Sequence, residues 1–432
     1  MKYDPLPASL YIENRKRFVA RMKPNTIALL SANELVANNA DGYYRFVQNS
    51  NLLYLSGLDQ EEVVLLLFPD APNPKWKEML FIRKTNEHIQ TWEGWKYSKE
   101  EAKEASGVQT VRWYDELESA LRGMVGHFDA VYLDINEHER NSLSTHTSGH
   151  KLAQMFTDQF PAHAIHRAAP ILTSLRAIKA QPEIDALQVA MDITEHAFRR
   201  VLAFVRPGVT EYEIEAEITH EFLRRRATGH AYDPIIASGA NACVLHYIEN
   251  KAPCAAGDLL LMDFGAEYAN YSADLSRTIP VSGSFTDRQK AVYNSVLRVQ
   301  KAAIEMLVPG TLIEDYHKEV GQLMTKELVD LDLITMEEVK NQNPDLPAYK
   351  KYFMHGTSHF LGLDTHDVGN RYLPMEAGMI FTCEPGIYIP EENMGIRIEN
   401  DILVTHDGPH DMMANIPREV EEIEALMQKV GV

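Results

Sequence analysis

Two periods of apolar residues divide the chain, short continuous runs that predict strands and recurrences every three or four residues that predict helices. From Met1 to about Pro170 the runs are TIALL from Thr26, VVLLLF from Val63, MLFI from Met79 and AVYLD from Ala130, with polar, helix-like stretches between them. Runs apolar on both faces belong in a sheet covered by helices, so this part predicts an α/β domain. No GxGxxG or P-loop spacing accompanies it, and no nucleotide site is expected there.

Pro170 and Pro182 bracket a boundary, after which Ile184, Leu187, Met191, Phe198, Val201 and Val205 recur at helical spacing. The expected division is 1–172 and 173–432. The first helix of the second part stops at Pro207-Gly208, and Thr210 with Glu213 forms a capping-box pattern that starts the next. A second helical run, Val292 to Leu307, also ends in Pro-Gly and is followed by Thr311 and Glu314. The recurrence fits either an internal duplication or a coincidence of punctuation. Strand-like segments follow each helix pair: PIIASG, CVLHYIEN, DLLLMDFGAEY and YSADLSRTIPV after the first, GMIFTCEPGIYIP and MGIRIENDILVTH after the second. Helices followed by largely antiparallel strands predict an α+β fold, closed by a helix from about Arg418.

Composition narrows the function. The 432 residues are 45% hydrophobic and 24% charged, as in a globular protein with a large core. A net charge of -20 disfavours nucleic acid and anionic membranes, and no local basic patch offsets it. Cys243, Cys254 and Cys383 lack CxxC spacing, so neither a disulfide framework nor a thiolate zinc site is expected. The first residues lack the apolar core of a signal peptide, and the longest apolar run, Val63 to Phe68, is too short for a bilayer. These features predict a cytoplasmic protein.

The chemistry concentrates in MHGTSHFLGLDTHDVG, Met354 to Gly369, where His355, His359 and His366 stand among glycines. Carboxylates lie where they should be expensive: Asp263 in an apolar run, Asp274 beyond a turn at Ala269-Asn270, Glu384 before Pro385-Gly386 and Glu399 in GIRIENDILV. Taken singly, Asp263 fits a salt bridge to Arg277 or another base, and Glu399 fits a solvated strand face with Arg397 and Asp401. Trp92 and Trp95, in a polar stretch, fit local packing more readily than binding. Taken together, two facing acids repel unless a cation lies between them. Four carboxylates and one imidazole suit hard divalent ions, and carboxylates can bridge two of them, which points to metal-assisted hydrolysis.

The order Asp263, Asp274, His359, Glu384 and Glu399, with the words LHYIEN, HGTSHFLGLDTHDVG, EPGIYIP and GIRIEND, resembles the aminopeptidase P (Xaa-Pro aminopeptidase) family of the pita-bread metallopeptidases. RFVQNSNLLYLSG, Arg45 to Gly57, resembles that family's N-terminal signature. The resemblance implies a C-terminal pita-bread domain with a pseudo-twofold and a preceding aminopeptidase P N-terminal domain. It implies removal of one residue from peptides with proline second, and two ions, manganese by expectation. Asp274 and Glu399 would bridge both ions, Asp263 would bind one, and His359 with Glu384 the other. Glu384 would also handle the proton of the attacking hydroxide. His246, His355 and His366 would orient substrate, beside Arg397. Tyr232 and Tyr388 flank the ligand segments as candidate pocket wall, and Trp92 falls where relatives carry a tryptophan that reaches a neighbouring subunit, implying a homo-oligomer. The alternatives are a prolidase restricted to dipeptides and a metal-free binding protein on the same scaffold.

Overall fold

The computed structural model describes residues 3–138, 140–141 and 146–428. It divides into two compact units, Pro5–Arg176 and the chain from Ala177 onward with the extreme N-terminus.

In the first unit six strands make one mixed sheet: β1 (Thr26–Ser31), β2 (Val64–Leu67), β3 (Glu78–Ile82), β4 (Thr110–Trp113), β5 (Ala130–Leu133) and β6 (Ala164–Arg167). Their order is β4-β3-β2-β1-β5-β6. β1 pairs antiparallel with β2 and parallel with β5. The four apolar runs occupy the inner positions, where both faces are covered, and Ile27, Leu29, Leu66, Phe81 and Val131 meet Leu121, Phe128 and Phe156 in one core. β4 and β6 are the edges. An edge strand needs less apolar surface, and neither shows as a run in the sequence. Trp92, on the short helix Glu87–Glu93, is 78% exposed, contrary to the expectation that it packs locally. Trp95 does engage its surroundings, with its ring 4.5 Å from that of Tyr97 and its Nε1–H donating to Glu101 at 3.1 Å.

The second unit runs helix pair, strands, helix pair, strands. Helices Gln181–Phe204 and Glu211–Arg224 precede β7 (Gly229–His230), β8 (Ile235–Ser238), β9 (Leu259–Asp263), β10 (Ala266–Tyr268), β11 (Tyr271–Ser272) and β12 (Ser276–Pro280). Helices Asp287–Ile304 and Ile313–Asp330 precede β13 (Ile380–Cys383), β14 (Gly386–Ile389), β15 (Met394–Arg397), β16 (Asn400–Thr405) and β17 (Gly408–Asp411). All their pairings are antiparallel, and the fold class is α+β. The two punctuation marks differ in the event. The Thr210 N–H and hydroxyl both donate to Glu213, at 2.7 and 2.8 Å, whereas Thr311 bonds back to the carbonyl of Met306 and Glu314 pairs with Arg371.

Two local devices place the candidate ligands. Ala269 and Asn270 both take positive φ, 52° and 66°, the tight turn that returns β10 as β11. The return puts Phe264 N–H on the carbonyl of Leu275, so Asp274, in the link between β11 and β12, stands beside Asp263 at the end of β9. The histidine segment lies alongside β13: Leu361 N–H reaches Ile380, Thr382 N–H reaches His359 and Glu384 N–H reaches Thr357. Asp367 N–H then closes the loop on the carbonyl of Phe360 at 2.9 Å.

Beneath that loop Lys179 donates to Asp367 at 3.0 Å, with both side chains 1% exposed. Gly362 covers the pair, and a Cβ there would come within 2.2 Å of the Asp367 carboxylate. Removing one member of such a pair strands a buried charge. Lys179→Met should destabilise the second unit by about 3 to 5 kcal/mol, read as a lowered urea midpoint; an unchanged midpoint would show that the pair is not holding the loop.

Candidate metal centre

Asp263 ends β9 opposite Ser276 of β12, and Arg397 ends β15 opposite Gly386 of β14. Arg397 is 4% exposed and donates three ways: Nε to the hydroxyl of Ser276, Nη1 to that of Tyr388 and Nη2 to Asp263, each at 2.7 Å. Ser276 passes its own proton to Glu399 at 2.7 Å. The partner of Asp263 is therefore Arg397. Of the bases open to a lone aspartate, Arg277 is committed to the carbonyls of Glu399, Pro417 and Ser276 and to Asn400. Glu399 is 2% exposed and does not lie on a solvated face. β15 stops at Arg397 and β16 begins at Asn400, so the strand alternation that would have turned it outward is broken between them.

On the other side, the phenol of Tyr232 lies 2.5 Å from a carboxylate oxygen of both Asp263 and Asp274. Asp274 N–H donates to Asp401 at 3.0 Å. His359 Nε2 is 3.4 Å from Asp274 and 3.8 Å from Glu384. One ligand atom each from Asp274, His359 and Glu399 lie within 4.8 Å of one another, the spacing of a cation site. The donor chemistry fits a divalent ion. His359 Nδ1 faces the carbonyl of Phe360 at 2.9 Å, so the proton belongs there and Nε2 keeps a lone pair for the ion.

The charges agree. Burial raises Glu399, and Asp274 and Glu384 raise it further. Burial also raises Asp263, with Asp274 adding to it against the opposing Arg397. Glu384 is pushed up to about 7, chiefly by burial. Burial would depress His359, but Asp274 and Glu384 outweigh it and carry it up to about 9. These shifts mark a site that favours added positive charge.

His355 behaves in the opposite way. Tyr388 accepts from Arg397, so its hydroxyl donates to His355 Nε2 at 2.8 Å, while His355 Nδ1–H donates to the carbonyl of Gly356 at 2.7 Å. Both nitrogens of a neutral ring are used, and burial with the Arg397 charge pushes its pKa down to about 3. The exposed ring of His366 stacks on that of His359, with centroids 4.1 Å apart and planes at 14°. His246 is exposed on a turn, close enough that its charge opposes protonation of His355. Tyr388 is wholly buried, so the structure gives it the support of Arg397 and His355, not a place on an open pocket wall. Tyr232 is half-buried. Trp92 belongs to the first unit. Ser276, Asp401 and Thr382, whose hydroxyl accepts His359 N–H at 3.1 Å, were not singled out from the sequence. Asp401 had a signal, standing two residues from Glu399; Ser276 and Thr382 had none.

Residues 185–406 match the model of metallopeptidase family M24, and residues 11–132 match that of the aminopeptidase P N-terminal domain. The chain belongs to metallopeptidase family M24 and, within it, to the aminopeptidase P family. It is similar to the Xaa-Pro aminopeptidase of Haemophilus influenzae, 36% identical over 98% of each chain. Among solved structures, zinc-substituted Escherichia coli aminopeptidase P in complex with product aligns at a TM-score of 0.88 and 32% identity, covering 99% of both chains. Escherichia coli aminopeptidase P with the inhibitor Pro-Leu aligns at 0.89 and 32%, covering 99% of this chain and 100% of the other. As a family member the protein is a metallo-exopeptidase, and it uses divalent metal.

The shifted groups set a pH dependence for the metal-free protein. Glu384, raised from 4.5 to about 7, contributes stability that is full below pH 4.5 and is lost as pH rises through 7. His359, raised from 6.5 to about 9, contributes stability that is full below 6.5 and lost as pH rises through 9. Calorimetry on metal-free protein should show Tm falling across this range, with a smaller fall in Glu384→Gln and none of the Glu384 part once divalent metal is added. Identical profiles for the wild type and Glu384→Gln would contradict the reading.

Proposed function

We propose that the protein removes the N-terminal residue from peptides whose second residue is proline, with a catalytic domain at 173–432 and an aminopeptidase P N-terminal domain at 1–172. The carrying observation is the convergence of Asp274, His359 and Glu399 in a chain that aligns end to end with Xaa-Pro aminopeptidases. A prolidase is not favoured, because the N-terminal domain and the whole length match the aminopeptidases. A metal-free binding protein would gain nothing from carboxylates that must hold protons to stay buried together.

Asp263, Asp274, His359, Glu384 and Glu399 would hold two divalent ions. Manganese is the assignment, since the donors are mainly hard oxygens. Held there, divalent ions would supply the polarisation of the scissile carbonyl and the activation of water at neutral pH. The protein supplies the proton path. Glu384, beside His359 and His355, is placed to take a proton from water and return it to the leaving proline nitrogen. Arg397 keeps Asp263 charged and oriented. His355, neutral and fixed at both nitrogens, holds Tyr388 and so Arg397. His246 and His366 face the substrate, and Tyr232 forms the wall against the proline ring, which offers no N–H. The unpaired cysteines support a cytoplasmic setting. Among the described residues no helix is long and apolar enough to cross a membrane. The exposure of Trp92 supports a homo-oligomer in which it reaches a second copy.

Metal content should separate the histidines. His359→Ala is expected to lose metal and activity together, whereas His366→Ala should keep its metal and lose turnover by roughly 2.7 to 4 kcal/mol, the worth of one preorganised donor. Equal metal content in the two variants would refute the division.

Specificity is tested with Gly-Pro, Gly-Pro-Ala and a longer Xaa-Pro peptide. Cleavage should extend to the tripeptide and beyond and should drop sharply when proline is replaced by alanine. Hydrolysis of Gly-Pro alone would mean a prolidase.

A further inference from the structure

Glu211 is a glutamate with 0% exposure that, among the described residues, pairs with no cation and with none of the candidate ligands. It opens the helix Glu211–Arg224, and its carboxylate is fully used: Oε1 accepts from Ser238 N–H at 2.8 Å and from the Asn241 amide at 3.0 Å, and Oε2 accepts from the Tyr247 hydroxyl at 2.7 Å and from Ala252 N–H at 2.8 Å. Glu211 N–H closes the set on the carbonyl of Ala252. These donors lie at the beginning, middle and end of the segment 238–252, which leaves β8 and carries His246 on its turn.

The same segment is pressed against the metal centre's framework. Ala242 belongs to a buried cluster with Tyr388, and Cys243 Sγ contacts the carbonyl of Met394 at 3.4 Å. A Cβ on Gly395, two residues before Arg397, would come within 2.1 Å of the Ala242 carbonyl. The loop is therefore fixed to β15 near Ala242 and Cys243, and Glu211 ties its beginning, middle and end to one carboxylate. Asn250 adds a link lower down, accepting Ile236 N–H at 3.0 Å and donating to Pro234.

We propose that Glu211 is a positioning residue for the aminopeptidase reaction: it staples the 238–252 loop so that His246 is presented to substrate. The inference rests on the role given to His246 above. A carboxylate is required because all four of its partners donate. A glutamine of the same shape would turn an NH2 toward two of those donors and release that part of the loop.

The test is a double-mutant cycle on the metal-loaded enzyme with an Xaa-Pro tripeptide. Glu211→Gln should lower kcat/KM by about 10- to 100-fold with metal content unchanged, the usual effect of outer partners. Tyr247→Phe, which removes one donor and leaves the carboxylate, should give a smaller loss. In the His246→Ala background both losses should vanish, because the group being positioned is gone. Losses that persist unchanged in that background, loss of metal in either variant, or full activity in Glu211→Gln would overturn the proposal. If His246→Ala alone is fully active, the role of His246 is wrong, and the inference falls with it by a different result.

Discussion

Buried negative charge is the constraint around which the second unit is built. Asp263, Asp274, Glu384 and Glu399 converge where little water reaches, with Asp401 behind them, and one guanidinium answers them. Burial and mutual repulsion raise Asp263, Glu384 and Glu399 above their ordinary values, so that each holds a proton more tightly than usual. A divalent cation removes the need for those protons. Such a site works only if the fold is rigid enough to keep the acids from moving apart.

That rigidity comes from committing every neighbouring group in advance. Arg397 has three partners in three directions, and Arg277 is occupied by backbone carbonyls, so neither can swing to neutralise another acid. The two central histidines are told apart by the same logic. His359 uses Nδ1 on a carbonyl and leaves Nε2 toward Asp274, whereas His355 has both nitrogens engaged. Which ring binds an ion is decided by what its other nitrogen does, a matter of the outer partners.

The scaffold repeats this economy on a larger scale. Lys179 and Asp367 lock the histidine loop from below, and Glu211 locks the loop of His246 from the side, each by a buried carboxylate whose donors come from distant parts of the chain. Such contacts make the site a property of the folded unit as a whole, and they explain why loops carry the functional groups without losing precision.

The sequence by itself determined most element types, the two parts of the chain and the candidate ligands, because apolar periodicity and carboxylates in apolar runs are local signals. CVLHYIEN, strand-like in the sequence, is instead the end of a 3-10 turn and a loop, because its Tyr247 is drawn to Glu211 rather than to a neighbouring strand. TIALL, VVLLLF and AVYLD had to be inner strands, and Asp263 and Asp274 had to be answered by positive charge. What answers them was not local. The choice of Arg397 over Arg277, the burial of Glu399, the retreat of Tyr388 beneath the site and the bridging by Ser276 depend on strands far apart in the chain meeting at one register. Capping shows the same division: Thr210 and Glu213 close their box, while Glu314, with the same spacing from Thr311, is drawn away by Arg371. Local pattern sets what a residue can do, and only the tertiary structure sets which partner arrives first, since a charge buried on folding binds whichever opposite group the packing brings within reach.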